Sequence, residues 1–118
     1  MKCVPKAEQS FDSAEATRLM QAADLDTLAR VFQALGSPSR LRICYELMHF
    51  QSVCVCDLAA IVDLSVPATS HHLAKLKALG LVRVRRQAQT LFYEMAGHPL
   101  WELLTPIMTS HETAVIGQ

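Results

Sequence analysis

The chain has 118 residues, 51% of them hydrophobic, and eleven Lys and Arg balance eleven Asp and Glu. That length suits one compact domain or one subunit of a small obligate dimer, and zero net charge leaves any polyanionic partner to be read from charge distribution. No apolar run approaches the roughly 20 residues that cross a bilayer and no secretory stretch opens the chain, so the expectation is a cytoplasmic protein with no membrane partner.

Residues 1–12 mix Lys, Pro, Glu, Gln and Ser without period and are expected to form a flexible arm that carries Cys3. A folded domain is expected over residues 13–115. From Ser13 to Leu35 the apolar residues Leu19, Ala22, Ala23, Leu25, Leu28, Val31, Phe32 and Leu35 recur at helical spacing, as one long helix or two abutting ones. Gly36 ends this run. Ser37 then caps a helix with Pro38 in its first turn and Leu41, Cys44, Leu47 and Met48 as its buried stripe, running to about His49.

Next comes Val53-Cys54-Val55-Cys56-Asp57-Leu58, leading into a short helix through Leu58, Ala59 and Val62 that Asp63 and Ser65 interrupt. Ser65 caps a further helix, with Pro67 in its opening turn, Leu73, Leu76 and Leu79 inward, and Gly80 as its stop. Two short helices joined by a tight polar turn match a helix-turn-helix. Leu81 to Arg86 then alternates apolar and basic residues, Thr90 to Met95 is rich in aromatic and β-branched types, and Gln87 to Gln89 join them as a hairpin. A hairpin beside a helix-turn-helix is a wing. Pro99 to about Thr113 forms a terminal helix whose Leu100, Leu103, Leu104, Ile107 and Met108 are expected to pack on a partner chain. The fold class is therefore mainly α with a β-hairpin wing.

From Leu64 to Tyr93 there are five basic residues, Lys75, Lys77, Arg83, Arg85 and Arg86, and no acid. This window is a candidate phosphate-facing surface. On the helix after Ser65, with Leu73 and Leu76 inward, Ser70, His71, Lys75 and part of the first turn face out. Short polar side chains and an imidazole can reach base edges, whereas Lys75 and Lys77 neutralise phosphate. Arg83, Arg85 and Arg86 are expected on one face of the first wing strand, as phosphate contacts or as a solvated edge.

The segments ALGSPSRL (Ala34 to Leu41), VCVCDLA (Val53 to Ala59), TSHHLAKL (Thr69 to Leu76), GLVRV (Gly80 to Val84) and LFYE (Leu91 to Glu94) together resemble the ArsR/SmtB family of metalloregulatory repressors. The likeness covers residues 25 to 110. It implies a winged helix-turn-helix homodimer, joined through N- and C-terminal helices, that sits on double-stranded operator DNA and leaves when an inducer binds. Ser70 and His71 become the expected base contacts, within a DNA-facing set of Ser65, Pro67, Ser70, His71, His72, Lys75, Lys77, Arg83, Arg85, Arg86, Gln87 and Gln89. His72 has a second reading, as a residue that packs or caps locally. The family usually carries Gly in the wing turn, where this chain has Gln87-Ala88-Gln89, so the wing contact within that turn stays open.

Cys54 and Cys56 are the expected metal ligands. Side chains two apart on a regular helix point about 200° away from each other, so one ion can be gripped only if the stretch is extended or if Cys54 precedes the helix that Cys56 opens. A helix N-terminus would favour the thiolates that metals need. Two thiolates want a third donor, and Cys3 on its arm is the candidate; the position where arsenic-responsive relatives often carry a third Cys is Ala59. Asp57 could add an oxygen or cap the helix. Soft sulfur sets select As(III), Sb(III), Cd(II), Pb(II), Zn(II) or Cu(I) over hard cations, with no organic cofactor expected. Cys44 falls on an apolar stripe and reads as core.

The resemblance also implies a second inducer site on the terminal helices, but its four ligand positions here are Gly97, Pro99, Ser110 and Thr113, leaving only His98 and His111 nearby. Three rival readings remain. They are a repressor switched by thiol oxidation or a persulfide donor, a metal carrier without a DNA role, and a thiol enzyme. No redox CxxC, phosphate-cradling Gly loop or nucleophile with a recognisable base supports an enzyme.

Overall fold

The computed structural model describes residues 10–110. Cys3, His111 and Thr113 lie outside the described residues. The run from Ser13 to Leu35 is two helices, α1 (Ser13–Ala22) and α2 (Leu25–Leu35). The break has a local cause: Ala23 is extended, and Asp24 caps α2 by accepting a hydrogen bond from the Thr27 amide at 3.2 Å. Asp12 does the same for α1, accepting from the Ala14 and Glu15 amides. Of the apolar residues assigned to this run only Val31 and Leu35 are buried; Leu19, Leu25, Leu28 and Phe32 remain exposed on the single chain.

Helix α3 (Pro38–His49) starts at the Ser37 cap, as its sequence predicts, and buries Ile43, Cys44 and Leu47. Leu41 and Met48 are only half-buried, and Ile43 was not anticipated. Cys44 is fully buried, and burial pushes its thiol up to about 12, which fits core packing and removes it as a ligand.

A two-residue strand β1 (Val53–Cys54) leads straight into α4 (Val55–Val62), and α5 (Val66–Ala78) follows after a three-residue turn. Asp63 makes that turn with a left-handed φ of 59°, a conformation Asp tolerates, and Ser65 Oγ accepts from the Ala68 amide to start α5. Leu58, Val62, Leu73 and Leu76 join Ile43 and Leu47 in the core, along with Thr69, whose hydroxyl donates to the Ser65 carbonyl. At the end of α5, Gly80 takes φ 76°; its amide donates to the Lys77 carbonyl and that of Leu81 to the Leu76 carbonyl, closing the helix in a Schellman turn.

Strands β2 (Val82–Gln87) and β3 (Thr90–Met95) form the wing, and β1 adds to β3, giving the order β1-β3-β2. The connection is the two residues Ala88 and Gln89, with Ala88 at φ 55°. An alanine is thus held in the left-handed region that glycine favours. Helix α6 (Leu100–Thr109) divides its apolar residues between the core and an exposed face. Leu100 and Trp101 are buried, Leu104 and Met108 pack against the core, and only Leu103 and Ile107 are exposed. Trp101 Nε1 donates to the Leu81 carbonyl at 2.7 Å, which fastens α6 to the root of the wing. No helix among the described residues is long and apolar enough to cross a membrane.

Candidate functional site

Helix α5 stands over the core on Thr69, Leu73 and Leu76, so His71, Lys75 and Lys77 are exposed and Ser70 is half-exposed, as expected for a surface that meets a partner. Pro67 and Ser65 are exposed at its first turn, but the Ser65 hydroxyl is already engaged with the Ala68 amide. His72 has a partner within the protein. Its Nδ1 lies 3.2 Å from Nη1 of Arg40, whose Nε also donates to the Ala34 carbonyl at 2.6 Å. Desolvation lowers the His72 pKa, and the charges of Arg40, His71 and Lys75 lower it further. A neutral ring accepting from Arg40 ties α5 to the α2–α3 junction, which is the local-packing reading of this residue.

The wing arginines do not share a face. Strand alternation puts Arg83, Arg85 and Gln87 on one side of β2, and Arg86 on the side of Val82 and Val84, past the point where the core covers them. Arg83 stands opposite Glu94 in the register and its Nε donates to Glu94 Oε1 at 2.7 Å. The acid-free window thus ends one residue before a carboxylate that folds back onto it. Arg85 donates to Gln87 Oε1 at 3.0 Å and Ser52 Oγ at 3.2 Å, and its guanidinium lies 5.1 Å from the centre of the Phe92 ring. Arg86 is exposed, as are Gln87 and Gln89, and it forms no ion pair among the described residues.

Cys54 and Cys56 occupy the second of the two arrangements that allow them to converge, one ahead of the helix and one in its first turn. Cys54 is the last residue of β1 and the N-cap of α4, extended at φ −73° and ψ 153°, while Cys56 sits in the first turn. Cys54 is half-buried and Cys56 exposed. Neither capping by a side chain nor an Asp57 hydrogen bond completes this helix start, so the expected capping job of Asp57 is not seen. Among the described residues no group of three or more His, Cys, Asp or Glu converges. The pair therefore fits a soft ion in donor chemistry and placement but supplies only two sulfurs. His98 is committed elsewhere: its Nδ1 accepts from the Leu100 amide at 3.0 Å.

Sequence reasoning missed Arg40, Ser52, Glu94 and Trp101. The spacing of SPSR ahead of an apolar stripe could have flagged Arg40; the other three depend on strand register or helix docking.

Residues 37–84, from the cap of α3 into β2, match the family model described as "Bacterial regulatory protein, arsR family". The cadmium resistance transcriptional regulatory protein CadC of Listeria innocua is 40% identical over 70 residues, 59% of this chain and 59% of the relative. The match thus spans less than two thirds of that relative's length. A cadmium resistance transcriptional regulatory protein CadC homolog of Staphylococcus aureus is 34% identical over 91 residues, 76% of this chain and 75% of the relative. Among solved structures, the homodimeric winged helix-turn-helix DNA-binding domain Mb0332 of Mycobacterium bovis aligns with TM-score 0.64 at 29% identity, covering 90% of this chain and 93% of that one. Motif, topology and relatives agree: the chain belongs to the ArsR family of bacterial regulatory proteins.

Proposed function

We propose that the protein is a cytoplasmic transcriptional repressor, not an enzyme, that holds operator DNA as a homodimer and releases it when a soft thiophilic ion binds Cys54 and Cys56. The observation that carries this reading is the double placement of Cys54, which caps α4, the helix packed against α5, and also pairs with Phe92 in the sheet of the wing. Both DNA-facing elements thus border the residue that would receive the ion.

A soft ion supplies a common centre for two thiolates, in the order of preference that sulfur donors impose. For both sulfurs to meet there, the backbone at the junction of β1 and α4 has to adjust, and the first turn of α4 is the segment that absorbs it. Cys3 is our candidate for a third donor, and Cd(II) the first ion to test, ahead of As(III), Sb(III), Pb(II) and Zn(II). Ser70 and His71 would read bases, and Lys75, Lys77 and Arg86 would meet phosphate, a reading supported by their exposure on α5 and β2. Pairing of the apolar residues exposed on α1, α2 and α6, such as Leu19, Met20, Leu28, Phe32, Leu103 and Ile107, would bury them in a dimer. Two reading helices spaced by about 34 Å would then reach successive major grooves. By linkage, DNA must weaken ion binding by the factor by which the ion weakens DNA binding.

The test is fluorescence anisotropy on labelled DNA from the protein's own promoter, with Cd(II) and arsenite titrated against wild type, Cys54→Ser, Cys56→Ser and Cys3→Ser. Release should be lost in the first two variants while their ion-free DNA affinity stays within about twofold of wild type, since neither thiol faces the reading helix's outer surface. A complex that neither ion disturbs refutes the reading. The thiol-redox alternative is favoured by one observation, an exposed thiol beside a half-buried one with no third donor among the described residues. Release by oxidant or a persulfide donor in chelator-treated buffer would select it.

A further inference from the structure

We propose that Arg85 is a strut that clamps the wing to the cysteine strand, not a phosphate contact, and that ion capture at Cys54 reaches the wing by releasing this strut. The inference rests on the ion-release reading above.

Arg85, Phe92 and Cys54 form a straight row across the sheet: Phe92 is the register partner of Arg85 on one side and of Cys54 on the other. Direct cross-strand partners share a face, so all three side chains stand on the side of the sheet away from the core, while their neighbours Val84, Tyr93 and Val53 point inward. Every nitrogen of the Arg85 guanidinium has a protein oxygen to face. Nη1 donates to Gln87 at 3.0 Å, Nη2 donates to Ser52 Oγ at 3.2 Å, and Nε lies 4.0 Å from Glu94 Oε2. The guanidinium also covers the Phe92 ring. A phosphate would have to displace these partners, whereas Arg86 next door has no ion pair among the described residues to give up.

The Ser52 contact is the one that spans elements. Strand β1 is only two residues long and pairs with β3 at two positions, so main-chain pairing holds it weakly, and the bond from Arg85 reinforces it from the far strand. Drawing Cys54 towards Cys56 turns the backbone at Cys54, which moves Ser52 two residues upstream and changes the neighbour of Phe92. The Nη2 acceptor is lost, and the end of the hairpin around Ala88 and Gln89 keeps its seat on the core through Val84 and Leu91 but loses its side-chain tie to the segment before β1.

Ser52→Ala removes the acceptor without touching a thiol, and Arg85→Ala removes the strut. DNA affinity of both variants, of Arg86→Ala and of wild type is measured over a range of salt, ion-free and at saturating Cd(II), with Cd(II) affinity measured separately without DNA. Ser52→Ala and Arg85→Ala should weaken ion-free DNA binding by about fivefold per subunit, the scale of one hydrogen bond, hence by about 25-fold for the dimer, and leave ion-saturated affinity unchanged. The ion-dependent ratio then shrinks by that factor. The salt slope of Arg85→Ala should match wild type, whereas that of Arg86→Ala falls. A salt slope reduced by about 0.9 per subunit in Arg85→Ala would make Arg85 a phosphate contact and overturn the proposal. Equal losses with and without Cd(II) would show a merely structural role and overturn it too. A responsive wild type whose response is intact in both variants sinks this inference alone; a wild type that binds Cd(II) yet keeps its DNA sinks the release reading and this inference with it.

Discussion

Replacing Arg86 with Ala should change how DNA binding depends on salt, and replacing Arg83 should not. Both lie on β2, but Arg83 is already neutralised by Glu94 at 2.7 Å, whereas Arg86 is exposed and without an ion pair among the described residues. Each phosphate contact releases roughly 0.9 of a counterion, so loss of Arg86 from both subunits lowers the slope of log affinity against log salt by about 1.8. Between about 50 and about 200 mM salt, that slope difference amounts to roughly a twelvefold difference in how much affinity is lost. Arg86→Ala should therefore bind much more weakly than wild type at low salt and converge on it as salt rises. Arg83→Ala frees a carboxylate near the DNA, and should weaken binding with the slope of wild type retained. Anisotropy titrations at a series of salt concentrations give both slopes directly. Equal slopes for Arg86→Ala and wild type, or a drop in Arg83→Ala as large as that of Arg86→Ala, would refute the parity and pairing argument.

Three further outcomes follow from local geometry. Ala88→Gly relieves a left-handed φ that costs a non-glycine residue about 1–2 kcal/mol, against about 0.5–1 kcal/mol of added chain entropy, so its urea midpoint should rise slightly while Ala88→Val lowers it. A drop for Ala88→Gly would contradict the strained turn. Trp101→Phe removes the donor to the Leu81 carbonyl and part of a buried ring, and should cost about 1–3 kcal/mol in denaturant unfolding; unchanged stability would mean α6 is not fastened there. His72 has a folded-state pKa below its unfolded value near 6.5, so the unfolded chain binds the extra proton and the His72 contribution, present above that pH, is lost as pH falls through the lowered folded value. Urea unfolding from about pH 8 down to about pH 5 should show that loss in wild type and a flatter profile in His72→Asn; parallel profiles would argue against the Arg40 contact.

Much of the framework was legible because it is written in local chemistry. Ser37 with Pro38, Ser65 with Pro67, and Gly80 each name a helix boundary by hydrogen-bonding or dihedral preference within a few residues, and the structure uses all of them. The geometric demand placed on Cys54 and Cys56 was legible for the same reason, since two residues apart on a helix is a fixed angle. Strand β1 was not, because two residues carry no period. Nor was the pairing of Arg83 with Glu94, which exists only once β2 and β3 are in register, or the burial of Trp101, which depends on where α6 docks. The sequence left His72 open between a DNA role and local packing, because its partner Arg40 lies 32 residues away, and a cluster of three arginines concealed that consecutive strand residues face opposite ways.

The carbonyl of Leu81 receives two donors, the Ala96 amide at 3.0 Å and the Trp101 indole at 2.7 Å. One oxygen thus uses both its lone pairs to bind the stop of the reading helix, the return strand of the hairpin and the terminal helix at a single point. The hairpin behaves as a cantilever, built in at that end, seated on the core through Val84, Leu91 and Tyr93, and tied by the Arg85 side chain to Ser52. Motion confined to the tip would move Gln89 and Arg86 while leaving α5 and α6 in place, so on the proposed reading a small event at Arg85 would change the wing's grip on DNA without rebuilding the core.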